Sequence, residues 1–176
     1  MVEEGKEDKV CWVDTKSGTF SIKSLYASLE IRRKVQFPSS VVWNAWVPCK
    51  VCFFAWEATW GKTLTLDQLQ RRGWSLANGC FLCLSHEEFI DHILLHCDKA
   101  MVLWELLFSL FRIFWVMQFI VRETLLGWHN SFVGRKRKKV WRIAPLYLFW
   151  TIWKERNRGS FEIVKLSIQR LKFLFV

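Results

Sequence analysis

The sequence predicts a mainly α-helical fold, in which an array of short helices surrounds a cysteine–histidine cluster and is followed by longer, aromatic-rich helices. Apolar residues recur at helical spacing, and short segments begin and end with helix-capping and helix-stopping residues. Three cysteines and a histidine also fall within eighteen residues. Hydrophobic residues make up 52% of the 176 residues, with twelve Trp and fifteen Phe. This composition excludes disorder for most of the chain and suffices for a domain with a core.

Three regions are expected. Residues 1–20 would form an N-terminal arm, residues 21–110 the helical domain around the cluster, and residues 111–176 a basic, aromatic-rich helical extension. The arm begins with polar residues, so no signal or transit peptide is expected at this point. Its Cys11–Val13 segment is typical of a short strand or an extended arm, followed by a turn. Six cysteines without a secretory signal favour a reducing compartment, nuclear or cytoplasmic, and metal ligation over disulfides.

Successive short helices are predicted along the central region. Ser21 can cap a helix through about Arg33, and residues 36–40 break it. A short helix is expected around residues 41–46, and Pro48 suits the first turn of another that runs through about Trp60, with Gly61 just past its end. Residues 65–68 form a capping-box pattern that opens a helix ending at Gly73. These helices are expected to pack around six apolar residues: Trp43, Trp46, Phe53, Phe54, Trp56 and Leu69.

The apolar stretch of residues 101–121 is long enough to be tested as a membrane span. Its thirteen Leu, Ile, Phe and Val residues favour insertion, whereas Arg112 near the middle and Glu105 nearer one end oppose it. The balance is close to zero. We expect a helix that is hydrophobic nearly all round and buried between neighbouring helices, not a membrane span.

A Cys80-x2-Cys83-x8-His92-x4-Cys97 pattern is the candidate metal site. Three thiolates and one imidazole form a common closed, tetrahedral shell for structural zinc, and a C-x2-C turn lets two sulfurs reach one ion. Protein ligands would fill all four positions, so the single zinc would stabilise the fold without activating water. The competing interpretation is that these are core cysteines, since free Cys behaves as a small hydrophobe.

The histidine ligand has a competitor. His92 and His96 are four residues apart and share a helical face, whereas His92 and Cys97 would lie about 140° apart on an α-helix. The two can meet one ion if the helix ends near His96. A second C-x2-C pair, Cys49 and Cys52, lies in an apolar helical run without a nearby histidine, so both are expected to be packing residues.

Positive charge is concentrated after the last candidate ligand. Residues 98–176 contain fifteen Lys and Arg against five Asp and Glu, whereas residues 1–97 are balanced at eleven each. Basic residues release counterions on contact with phosphates, and aromatic faces can stack on unpaired bases. Trp141, Tyr147, Trp150 and Trp153 could stack in this way or belong to the core. The candidate nucleic-acid contacts are Arg135, Lys136, Arg137, Lys138, Lys139, Arg142, Lys154 and Arg156.

The order of these residues resembles the zinc-binding domain that follows the polymerase in plant non-LTR (LINE-type) retrotransposon reverse transcriptases. Around the cluster the resemblance is carried by Cys80, Leu82, Cys83, Glu87, Glu88, His92, Cys97 and Trp104. Upstream it continues through residues 18–26 and Trp43, Trp46, Pro48, Lys50, Val51, Phe54, Trp56, Thr65, Leu69 and Arg72. It covers about residues 12–107, and residues 152–157 resemble a downstream tail.

The resemblance implies Cys80, Cys83, His92 and Cys97 as zinc ligands, and thus favours His92 over His96. One departure concerns the turn after the second cysteine, where Leu84 stands in place of the family's usual glycine. The family's polymerase motif Tyr-x-Asp-Asp does not occur, nor does G-x-x-x-x-G-K-[ST] or G-x-S-x-G.

The sequence therefore predicts a non-catalytic zinc-binding module that binds RNA or single-stranded DNA, without a small-molecule substrate. Two alternatives remain open. One is a zinc-stabilised protein-interaction module, and the other is a retroelement relic without a selected function.

Overall fold

The computed structural model describes residues 11–13, 15–31, 36–130 and 137–161, which divide into two units with the boundary in sequence between Gln36 and Phe37. In the first unit, the N–H of Trp12 donates to the carbonyl of Gly18 at 2.8 Å, closing a turn. Helix α1 spans Ile22–Ile31. The Oγ of Ser21 accepts the N–H of Ser24 at 3.0 Å, which confirms the predicted cap. The predicted end at Arg33 lies outside the described residues.

The second unit contains six further helices and one π-helical turn in the part that the structure describes, and no strand. Their bounds are α2 Ser39–Val42, α3 Cys49–Thr59, α4 Leu66–Arg71, the π-turn His92–His96, α5 Asp98–Phe111, α6 Val121–Asn130 and α7 Lys138–Phe161. The mainly α-helical fold, with short helices before the cluster and longer ones after it, is confirmed.

Helix α3 begins directly after Pro48 and ends at Thr59, with Gly61 at a φ of 60° just beyond it, as predicted. Helix α2 is shorter than predicted. It ends at Val42, and the segment 43–47 forms a loop. The side chain of Asn44 causes this turn, because its Oδ1 accepts the N–H of Trp46 at 3.0 Å.

The aromatic core differs from the predicted one. Of the six expected core residues, Phe54 is buried and Leu69 is half-buried, while the others are exposed: Trp43, Trp46, Phe53 and Trp56. Helix α7 explains the difference, because its Trp150 and Trp153 pack on Phe54 with ring centroids 5.6 and 5.4 Å away. The four largest fully buried side chains lie on α5, α6 and α7: Trp104, Trp128, Trp141 and Phe149.

A proline lies inside helix α7. Pro145 has no N–H, so the carbonyl of Trp141 four residues earlier lacks its helical donor. The indole Nε1 of Trp128 donates to this carbonyl at 2.7 Å, and the rings of Trp128 and Trp141 stack with centroids 3.8 Å apart. The helix therefore continues past Pro145 because α6 supplies the missing donor.

The apolar stretch 101–121 is not one helix, so the prediction of a single packing helix is wrong. Helix α5 ends at Phe111, and Arg112 adopts a left-handed conformation with φ of 54°. Residues 113–120 are irregular, and α6 begins at Val121. Among the described residues, every helix is too short or too polar to cross a bilayer.

Candidate metal centre

The structure brings the four candidate ligands together. The ligand atoms of Cys80, Cys83, His92 and Cys97 all lie within 4.8 Å of one another. The Nε2 of His92 is 3.4 Å from the Sγ of Cys83. Zn–S and Zn–N bonds in tetrahedral geometry separate a sulfur and a nitrogen ligand by about 3.5 Å. The cluster therefore has the donor chemistry of a closed four-ligand zinc shell, and its ligand atoms lie close enough to converge on one ion.

A π-helical turn places the histidine next to the last cysteine. The N–H of Cys97 donates to the carbonyl of His92 at 2.7 Å, an i→i+5 bond. This pattern brings residue i+5 close to one turn above residue i, which reduces the angular separation expected on an α-helix. Cys97 is extended, with ψ of 133°, so the helical segment ends at His96 as expected. His96 is exposed and its Nε2 donates to the carbonyl of Phe119 at 2.9 Å, away from the cluster.

The first two cysteines lie on a tight turn. The N–H of Leu84 donates to the carbonyl of Cys80 at 2.8 Å, and the backbone at Cys83 and Leu82 helps to lower the pKa of the Cys80 thiol. Leu84 has φ of 60°, the left-handed conformation that glycine adopts at low cost. The turn thus forms with the geometry that the absent glycine would favour, and Leu84 bears the strain.

Two thiols of the cluster, Cys80 and Cys97, lie next to each other. The Cys97 side chain lowers the pKa of Cys80, although burial opposes this shift. The same contact, together with burial, raises the pKa of Cys97. Ligation of one ion by both sulfurs would release the Cys97 proton, because a metal takes the thiolate form.

A buried carboxylate links the cluster to the C-terminal helix. Glu88 is 0% exposed, and both of its oxygens accept the Nε of Arg156 at 3.1 Å. Its Oε1 also accepts the N–H of Leu66 at 3.1 Å, and its Oε2 the N–H of Phe81 at 3.4 Å. The backbone N–H of Glu88 donates to Asn78 at 2.9 Å. One side chain therefore ties together helix α4, the cysteine turn and helix α7.

This network corrects two predictions. Arg156 is 6% exposed and its guanidinium is bound to Glu88, so its assignment as a phosphate contact is wrong. The capping box at Thr65–Gln68 is also wrong, because Thr65 makes no side-chain cap and its hydroxyl bonds to Asp67 instead. The N–H of Leu66 at the start of α4 donates to the carboxylate of Glu88, which lies 22 residues later in sequence.

The second cysteine pair lies apart from this cluster. Cys52 is buried, and its Sγ lies 3.7 Å from the carbonyl of Val47, to which it can donate. Cys49 is exposed, so the prediction that it is a packing residue is wrong. His86, which the sequence analysis missed, has its Nδ1 3.9 Å from Cys83, but its ring is exposed.

The remaining candidate nucleic-acid contacts begin at the start of α7. Arg137, Lys138 and Lys139 are exposed, as is Lys154 further along the helix, while Arg142 is half-buried. Arg135 and Lys136 lie outside the described residues. Contact of all these residues with nucleic acid stays a prediction. The stacking role considered for Trp141 is wrong, because Trp141 is 1% exposed and lies in the core.

Residues 20–104 match the family described as zinc-binding in reverse transcriptase. Over this stretch the chain is similar to that reverse-transcriptase zinc-binding family. The resemblance predicted from the sequence is therefore confirmed for this region. The predicted regions 1–20, 21–110 and 111–176 stay a prediction.

A curated relative extends beyond the matched region. A putative ribonuclease H protein of Arabidopsis thaliana is 24% identical over 177 aligned positions, covering 97% of this chain. The chain spans 28% of that relative's length. The likeness thus includes α6 and α7. No solved structure matches the chain.

Proposed function

We propose that this chain is a non-catalytic module in which one structural zinc ion, held by Cys80, Cys83, His92 and Cys97, supports a surface that binds single-stranded nucleic acid. The observation that carries the zinc assignment is the close approach of four ligand atoms of Cys3His chemistry. With four protein ligands, zinc keeps no open position for a reacting water, which supports a stabilising role. Reduced thiols are needed, so a nuclear or cytoplasmic location is part of the proposal.

Charge at the start of α7 supports nucleic-acid binding. Lys138 and Lys139 occupy its first turn, which contains no acidic residue. The N-terminal end of a helix carries partial positive charge, so cations there are unfavourable by about 0.3–1 kcal/mol each. Folding alone does not favour this placement, whereas bound phosphates would offset it. The family's link to reverse transcriptase and the relative's name are consistent with a nucleic-acid partner, either RNA or DNA.

Metal analysis of the purified, reduced chain tests the zinc assignment. We expect one zinc per chain, loss of most of it in Cys83→Ser, and full retention in the matched control Cys49→Ser. Cobalt substitution should give the absorption bands of a tetrahedral, thiolate-rich site. His92→Ala should change these bands, while His96→Ala should not. Equal zinc content in wild type and Cys83→Ser would refute the assignment.

Titration with a mixed-sequence single strand at several salt concentrations tests nucleic-acid binding. If about four cations contact phosphates, log affinity should fall with log salt at a slope near −3. Replacing residues 135–139 by Gln should flatten the slope, while Arg71→Gln with Arg72→Gln, two exposed arginines on and just after α4, should leave it unchanged. Undetectable binding at low salt, or an unchanged slope after neutralisation, would defeat the proposal.

One feature favours the second candidate function, protein interaction. The irregular segment between α5 and α6 exposes three large apolar side chains: Phe114, Val116 and Phe119. Large exposed apolar patches often mark interaction sites. A module of this kind would show no dependence of nucleic-acid affinity on the basic residues of α7.

A further inference from the structure

An open pocket of about 320 Å³ lies between the α2–α3 loop and the first turns of α7. Its seven lining residues include Trp43, Asn44, Trp46, Lys139 and Arg142, and none of the seven is acidic. Trp43 is 46% exposed and Trp46 is 66% exposed. Two partly exposed indoles and two cations therefore share one concave site.

The loop that carries both tryptophans is held in place by its neighbours. Oδ1 of Asn44 accepts the N–H of Trp46 at 3.0 Å, and the Asn44 carbonyl accepts the N–H of Val47 at 3.0 Å. Val47 is buried, and Cys52 can donate to the carbonyls of both Asn44 and Val47. These bonds fix the backbone on both sides of Trp46. The site is pre-formed, which lowers the entropy lost when a ligand binds.

Contacts within the pocket combine aromatic and cationic chemistry. The Nζ of Lys139 lies 4.5 Å from the ring centroid of Trp46, within cation–π distance. The ring of Phe53 packs against Trp43 edge to face, with centroids 5.3 Å apart. Exposing two indoles to water loses the burial that stabilises other tryptophans of this chain. A ligand that covers these rings while neutralising Lys139 and Arg142 would satisfy both features.

We propose that this pocket accepts an unpaired nucleobase of a single strand, with Trp43 and Trp46 providing the stacking surface and Lys139 and Arg142 contacting the adjacent phosphates. The inference rests on the proposed nucleic-acid binding and names its aromatic site. Stacking on aromatic side chains accepts every base, so sequence preference is weak. Double-stranded nucleic acid binds more weakly at this site, because its bases are already stacked.

The test uses two probes with the full-length, zinc-loaded chain: a fluorescently labelled single strand, and an abasic sugar–phosphate strand of the same length. Both carry the same phosphates, but the second has no bases. Base stacking on an aromatic residue strengthens binding by at least about fivefold. Wild type should therefore bind the base-bearing strand at least about fivefold more tightly than the abasic strand.

The variants Trp43→Ala and Trp46→Ala should each reduce this preference, and the double variant should abolish it while leaving affinity for the abasic strand unchanged. Trp74→Ala is the matched control, since Trp74 is 63% exposed and lies outside the pocket. It should retain the full preference. Zinc content and circular dichroism confirm that each variant is folded.

The outcomes separate this inference from the proposed function. Salt-dependent binding with an unchanged base preference in the double variant would overturn the stacking site and leave the nucleic-acid function standing. Absence of binding by wild type to either strand at low salt would overturn both. Loss of abasic-strand affinity in the double variant would also overturn the inference, since the tryptophans would then be structural supports.

Discussion

Replacing Leu84 by glycine should stabilise this protein. Leu84 follows the second cysteine of the turn and has φ of 60°, where an L-residue with a Cβ costs about 1–2 kcal/mol more than glycine. Its side chain is 78% exposed, so its removal loses little packing. Glycine also makes the unfolded chain more flexible, which opposes the gain by about 0.4–1 kcal/mol. The net gain should be about 0.5–1 kcal/mol.

Leu84→Ala is the matched control. It removes nearly the same side chain but keeps the Cβ, so it keeps the backbone strain, and its stability should stay within about 0.5 kcal/mol of wild type. Denaturant unfolding at saturating zinc gives the free energy of unfolding for each variant. In a chain of this size, about 1 kcal/mol corresponds to about 2–4 °C in Tm. If Leu84→Gly were no more stable than Leu84→Ala, the strain argument would be refuted.

Three further perturbations follow from the buried contacts. Arg156→Gln should lower the free energy of unfolding by about 3–5 kcal/mol, because it leaves the carboxylate of Glu88 buried without its cation; unchanged stability with weaker nucleic-acid binding would restore the rejected assignment. Cys52→Ala should cost about 1–3 kcal/mol in denaturant unfolding, while Cys49→Ala stays within about 0.5 kcal/mol, since only the first is buried. Asp91 accepts the first N–H of α6 at 2.8 Å, and its burial raises its pKa above the usual 3.8. Ionisation of Asp91 therefore destabilises the folded state, and this destabilisation grows as pH rises from 3.8 through the folded pKa. Stability of Asp91→Asn, which keeps the acceptor, should rise relative to wild type over that window, whereas Asp91→Ala should lose about 1 kcal/mol at neutral pH; a constant difference between Asp91→Asn and wild type would contradict this.

The metal cluster could be predicted because its members are local in sequence. Eighteen residues hold all four side chains, so their spacing alone restricts which of them can meet. The angular conflict between His92 and Cys97 was visible in advance. Its solution, a π-turn, was not, because no residue type signals an i→i+5 bond. The start of α3 is predictable for the same local reason, since proline is favoured at the start of a helix and Pro48 directly precedes α3.

Long-range pairing escaped the sequence reasoning. Arg156 is separated from Glu88 by 68 residues and lies among several other basic residues in sequence. Its neighbours in sequence therefore do not indicate whether it is buried against a carboxylate or exposed to a phosphate. The twelve tryptophans presented the same difficulty, because periodicity does not say which faces a later helix will cover. Helix α7 covers Phe54 and leaves Trp43 and Trp46 exposed. Helix α5 ends at Phe111, earlier than predicted, and no glycine or proline in the sequence marks this end.

The stacked pair Trp128–Trp141 should give the protein an intrinsic circular-dichroism signal of helix docking. Two indole rings at 3.8 Å with nearly parallel planes couple their electronic transitions, which splits the far-ultraviolet circular dichroism into a couplet of opposite signs. We expect the couplet when α6 and α7 are docked and its loss when they separate. Because Trp141 lies one turn after Arg137 and Lys138, its amplitude should report any shift at the start of α7 when a strand binds, without a dye attached to the chain.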